Sequence, residues 1–143
     1  MSTLERAIQI AAEAHTGQLD KAGQPYILHP LRVMLRVEGE HERMAAVLHD
    51  VVEDSSFTLE QLAAEGFPAL VIEAVAALTK LPGETRLAAA SRAAKNPIAR
   101  KVKLADNAEN MDLSRIPQPT EKDWSRLAEY KAVRALLVSI PIN

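Results

Sequence analysis

The sequence predicts an all-α fold, a single domain over residues 1–143. Three observations lead there. Apolar residues recur three and four positions apart, the period of a helix with one buried face. Alanine is plentiful, aromatic residues are only 3% of the chain, and β-branched alternation is rare, so strands have little to build on. Glycine and proline, which interrupt helices, fall between the periodic segments.

The elements follow in order. Ser2-Thr3 with Glu5 suits a helix start, and Leu4, Ala7, Ile8, Ala11 and Ala14 then form one stripe. TGQLDKAGQP, from Thr16 to Pro25, is a loop broken by two glycines and a proline. A second helix begins near Pro30, a residue suited to a first helical position, and ends before Gly39. A third runs from about Glu40 to Asp54 on Met44, Val47, Leu48 and Val51. Thr58 caps a short fourth helix that ends at Gly66. Pro68 opens a fifth through Val71, Ala74, Val75 and Leu78, and Pro82-Gly83 breaks it. Two more cover about Glu84 to Ala94 and about Pro97 to Met111. After the Pro117–Pro119 turn, a last helix packs through Trp124, Leu127, Ala128, Ala132 and Leu136.

Composition narrows the function. A formal charge of −2 gives no general signal for nucleic acid or an anionic membrane. The absence of cysteine excludes disulfides, thiolate metal sites and cysteine nucleophiles. No apolar run approaches the roughly 20 residues of a membrane span, and the N-terminus lacks the apolar region of a signal peptide. The expectation is a cytoplasmic protein with no membrane or nucleic-acid partner. Oligomeric state is not written in the sequence.

The stretch VLHDVVED, Val47 to Asp54, sets the functional question. Glu53 lies four residues after His49 and Asp54 four after Asp50, so the four polar groups share one broad side of a helix. They form either a solvated face or a cluster that holds something worth its desolvation. His29-Pro30 at a helix start and the lone aspartate of Lys103-Leu104-Ala105-Asp106 favour the second reading. Neutral imidazoles and carboxylates suit a borderline divalent metal such as Mn²⁺, Fe²⁺ or Zn²⁺. Such a mixed set leaves positions open for water, which a bound metal activates.

Four motifs occur in order: AHTGQLDKAGQPYILHP, VLHDVVED, ALTKL and KLADNAENM. Together they resemble the hydrolase domain of the RelA/SpoT alarmone enzymes, a branch of the HD-domain superfamily, in its small stand-alone format. The resemblance covers roughly residues 4 to 137. It implies an all-helical HD fold and a divalent metal, usually Mn²⁺. By motif, His29, His49, Asp50 and Asp106 would be the ligands. Glu53 and Asp54 match the acidic pair that positions or activates the attacking water. Lys21 matches a basic residue near the nucleotide, and Asn110 an asparagine that contacts its sugar. The reaction implied removes pyrophosphate from the 3′ position of guanosine tetra- or pentaphosphate, leaving GDP or GTP.

The chain also departs from that pattern. Asp20 stands where the family carries an arginine that packs on the guanine, and restoring the arginine is expected to strengthen binding. Asn107, Ala108 and Glu109 replace Arg-Leu-His, and Asp112-Leu113-Ser114 replaces Arg-Thr-Leu. Two alternatives follow: an HD phosphohydrolase acting on another nucleotide or phosphorylated metabolite, and a weakly active, metal-bound binding module. Other residues are assigned structural roles. His15 closes the first helix, His41 is exposed, and Arg100, Lys101 and Lys103 form a helix surface. Tyr26 and Trp124 pack, and Thr79-Lys80 closes a helix.

Overall fold

The computed structural model describes residues 2–140. Among them, nine helices occur in order: α1 Leu4–Ala14, α2 Leu28–Leu35, α3 Glu40–Leu48, α4 Val51–Asp54, α5 Leu59–Ala64, α6 Ala69–Leu78, α7 Arg86–Ala93, α8 Pro97–Met111 and α9 Glu121–Ser139. The only strand-like pairing among these residues is one antiparallel bridge, Leu19 to Pro25, which closes the loop between α1 and α2. The all-α prediction holds.

Caps explain most of the boundaries. Thr3, Thr58, Thr85, Asn96 and Thr120 each accept a backbone N–H of the first turn through their side chains. Thr58 with Gln61, and Thr120 with Asp123, form reciprocal capping boxes. Gly39 precedes α3 at φ +97°, where a Cβ would lie 2.3 Å from the Glu42 carboxylate.

Helix α3 is the axis of the molecule. Met44 to Leu48 are all buried, because α1, α2, α6 and α8 pack around it. Val33, Val71, Val75 and Val102 meet this helix from their own elements in one apolar core. A smaller cluster of Ala90, Ala94, Val133 and Leu137 joins α7 to α9.

Four expectations change. The first stripe also includes Ile10, which is fully buried. Helix α2 starts at Leu28, so Pro30 sits in its first turn and not at its first position. The predicted third helix is two: it breaks at His49-Asp50, where Asp50 adopts φ −105°, ψ 0°. The His49 imidazole takes the Ala46 carbonyl in a 2.6 Å hydrogen bond and draws that acceptor out of the regular ladder. The last helix buries Val133 and Leu137, whereas Trp124 is 56% exposed. The stripe was misplaced because Trp124 weighs heavily in an apolar count but lies off the buried face.

Candidate metal and phosphate site

The break between α3 and α4 builds the site. It places His49 and Asp50 at the end of a fully packed helix, facing α2 and α8. His29 comes from the first turn of α2 and Asp106 from the middle of α8. His29, His49 and Asp106 are all buried, and Asp50 is largely so.

The distances are short. Donor atoms of His29, His49 and Asp50 lie within 4.8 Å of one another. His29 Nε2 is 2.8 Å from Asp106 Oδ1. His49 Nε2 is 3.0 Å from Asp50 Oδ2 and 3.5 Å from Asp106 Oδ1. The Tyr26 hydroxyl donates to Asp50 Oδ2, and Asn110 Nδ2 donates to Asp106 Oδ1 at 3.2 Å. Lys103 Nζ lies 3.5 Å from Asp106 Oδ2.

This donor set fits a divalent cation. The bond from His49 Nδ1 to Ala46 fixes the ring and leaves Nε2 as the atom turned toward the two carboxylates. That Nε2 is buried and makes no hydrogen bond of acceptable geometry. Two carboxylates enclosed with two imidazoles call for a positive charge. The same charges favour the protonated form of the His49 ring. Burial, the largest single influence, opposes this, but Asp50 and Asp106 together outweigh it and raise the pKa. Both acids are correspondingly lowered against their own desolvation.

A cavity of about 370 Å³ opens over these residues. Glu53 lines it and accepts the Lys80 backbone N–H at 3.0 Å. Lys80, Arg86 and Lys103 supply a cationic wall. That wall is held from behind: Arg92 donates to the Ala76 and Thr79 carbonyls at the end of α6 and pairs with Glu84 at 2.9 Å. Asp54 is exposed, is not among the lining residues, and has its carboxyl pushed up to about 6 by burial, then by Asp50 and Glu53.

A second cavity of about 220 Å³ adjoins the first and shares Tyr26, His29, Asn110 and Tyr130 with it. Lys21 and Asp20 line it. Lys21 Nζ lies 5.8 Å from the centre of the Tyr130 ring, on which Arg86 also stacks at 4.7 Å. Asp20 is fully engaged. Its Oδ1 accepts the N–H groups of Ala22 and Gln24, and its Oδ2 accepts Arg115 Nη1 at 3.2 Å.

The structure thus gathers His29, His49, Asp50, Asp106, Glu53 and Asn110 around one cavity, and Lys21 and Asp20 beside it. His15 caps α1, has its pKa lowered by burial, and lies with its ring tilted against Tyr26 at 5.0 Å. His41 is half-buried, not exposed, in the first turn of α3. The basic run on α8 is no uniform surface: Arg100 is buried, Lys101 exposed, and Lys103 reaches Asp106. Tyr26 does more than pack, since it holds Asp50. Lys80, Arg86, Tyr130 and Arg115 were not singled out as site residues. Lys80 and Arg86 flank the Pro82-Gly83 break, a signal that was there to use.

The model of the HD domain matches residues 7–114. The chain belongs to the HD-domain family. Among curated relatives, it is 36% identical over 150 residues to a probable GTP pyrophosphokinase of Mycobacterium leprae, across 96% of this chain and 19% of that protein. It is 47% identical over 76 residues to a guanosine-3′,5′-bis(diphosphate) 3′-pyrophosphohydrolase of Haemophilus influenzae, across 50% of this chain and 11% of the other. The chain spans about a fifth or less of the length of these relatives. Among solved structures, it matches a metazoan SpoT ortholog described as hydrolysing ppGpp, with TM-score 0.79 and 28% identity over 97% of this chain and 85% of that one. The helical HD fold is therefore shared with a SpoT-type hydrolase. No helix among the described residues is long and apolar enough to cross a membrane.

Proposed function

We propose that this domain is a metal-dependent phosphohydrolase that removes pyrophosphate from the 3′ position of guanosine tetra- or pentaphosphate. One observation carries the reading: a buried His-His-Asp-Asp set and Glu53 share a single cavity with Lys80, Arg86 and Lys103. Metal-ligating groups and cations around one cavity suit a polyanion attacked by water. The relatives' names and the structural neighbour support the same substrate class.

His29, His49, Asp50 and Asp106 would hold the metal, with Mn²⁺ the expected ion. When bound, such an ion lowers the pKa of water and polarises phosphoryl oxygen. Glu53 accepts a proton from the attacking water, and its hydrogen bond to the Lys80 N–H fixes its direction. Lys80, Arg86 and Lys103 bind the pyrophosphate and stabilise charge that grows on it. The water oxygen bonds to phosphorus, the bond to the ribose 3′ oxygen breaks, and that oxygen leaves with a proton as the nucleotide hydroxyl. Tyr26 and Asn110 hold Asp50 and Asp106 in place.

The test is release of pyrophosphate from guanosine tetraphosphate by chelator-treated protein resupplied with Mn²⁺. Expected is metal-dependent release that Asp50→Ala abolishes. Release independent of metal refutes the metal dependence, and no release from this nucleotide with turnover of another phosphorylated compound refutes the substrate assignment.

A further inference from the structure

The two adjoining cavities differ in chemistry. The larger holds the metal ligands and three cationic side chains. The smaller is lined by four carboxylates, Asp20, Glu109, Asp112 and Asp123, and by Lys21 and Arg115, while Arg32 and Arg36 pair with Glu109 and leave the space with no excess of either charge. Phosphates are therefore better served by the larger cavity, where a bound divalent cation would add to Lys80, Arg86 and Lys103. A neutral heterocycle suits the charge-balanced smaller space.

Arg115 is built to meet such a ring. It comes from the loop after α8, and its Nη1 donates to Asp20 Oδ2 at 3.2 Å. Asp20 is itself fixed by two backbone N–H groups, so the guanidinium has a rigid anchor. Its Nε is buried without a hydrogen-bond partner. Pairing with Asp20 offsets the guanidinium's charge and weakens its pull on phosphate. Its side chain lines the smaller cavity, and a guanidinium plane stacks well on a heterocycle.

We propose that Arg115, oriented by Asp20, is the base-specificity residue of this chain: its guanidinium stacks on the purine of a nucleotide whose 3′-phosphates occupy the larger cavity. The proposal rests on the nucleotide-hydrolase reading above. It moves base stacking from the loop before α2 to the segment after α8, and makes Asp20 the positioning residue.

Steady-state kinetics on guanosine 3′,5′-bis(diphosphate) and on guanosine 3′-diphosphate test it, with inorganic pyrophosphate as a competing ligand of the larger cavity. Arg115→Ala is expected to raise KM about tenfold for both nucleotides, the size of one lost stacking contact, and to leave pyrophosphate inhibition unchanged. Arg115→Lys keeps the charge and the reach to Asp20 but loses the plane, so it should resemble the alanine variant. Asp20→Asn retains the acceptor for the turn and frees Arg115, which predicts an intermediate rise. The proposal is overturned by an unchanged KM in Arg115→Ala or by a lysine variant equal to wild type. It is also overturned if the loss is confined to the nucleotide with 5′-phosphates, since Arg115 would then be a phosphate ligand. Equilibrium binding of the same nucleotides reads the same contrasts without turnover. Failure of hydrolysis with the binding contrasts intact counts against the hydrolase reading alone, and wild-type protein that binds neither nucleotide overturns both.

Discussion

Replacing Tyr26 with phenylalanine isolates a single oxygen. The Tyr26 hydroxyl donates to Asp50 Oδ2, the carboxylate oxygen nearest His49 Nε2. Burial, followed by the charge of Asp50, pushes the phenol pKa upward, so the group remains a donor at neutral pH. Phenylalanine keeps the ring between His15 and His29, at centroid distances of 5.0 and 5.6 Å, and removes only the bond. A hydrogen bond to a charged group contributes roughly 1.5–3 kcal/mol. Tenfold in affinity corresponds to about 1.4 kcal/mol, so metal binding should weaken roughly 10- to 100-fold, the range seen when partners of metal ligands are removed. Titrating metal-free protein with Mn²⁺ against a chromogenic chelator measures this, with the melting temperature of the metal-free variant as a control. Affinity within twofold of wild type would refute the idea that Tyr26 holds Asp50 for the metal.

Three further outcomes are expected. Glu53→Gln should retain the metal, by elemental analysis, and lose roughly 10²- to 10⁴-fold in kcat; full turnover would reduce Glu53 to a structural contact with Lys80. The Glu84 carboxyl is lowered to about 2 by Arg92 and then by the Leu81 N–H, so its stabilising effect is present above about pH 4.5 and is lost as pH falls toward 2. Melting temperatures across that window should fall less steeply in Glu84→Gln, and parallel curves would remove the pair from the acid response. Asp20→Arg should raise KM and lower the melting temperature by several degrees, because it places a new guanidinium beside Arg115 and Arg32 and strips the acceptor from Ala22 and Gln24. A lower KM in that variant would restore the expectation drawn from the family pattern.

The fold was largely legible because helical signals are local. Thr58, Asn96-Pro97 and Pro68 marked their boundaries by cap chemistry that needs no knowledge of the rest of the chain. The break at His49-Asp50 was not legible, since an apolar period continues through Val47, Leu48 and Val51, all fully buried. What interrupts the helix is a side chain taking a backbone carbonyl, and no spacing rule reports that. The residues around the cavity were found through motifs rather than periodicity, because contacts such as His29 with Asp106 span 77 positions. The far wall escaped notice for a related reason. Lys80 and Arg86 look like ordinary surface cations until Arg92 and Glu84 fix the turn between them against the end of α6.

The departures from the family pattern are not scattered. Asn107 donates to the Tyr130 carbonyl at 3.0 Å and so ties α8 to the helix that supplies the ring between the two cavities. Glu109 is buried and pairs with Arg36 at 3.0 Å and Arg32 at 3.6 Å. Arg32 in turn reaches Asp20 at 4.0 Å, and Asp20 holds Arg115. A lone buried carboxylate costs several kcal/mol, so neither Glu109 nor Asp20 would be tolerated singly in such surroundings. Each is matched, and the three guanidinium groups against two carboxylates leave the network with one positive charge in excess. A site in decay loses partners one at a time and strands charges. Here Asp20 and Glu109 are satisfied through Arg32, Arg36 and Arg115 beside the cavity that shares His29 with the candidate metal site. That is the arrangement expected if the proposed base-binding side has changed while His29, His49, Asp50 and Asp106 keep their places.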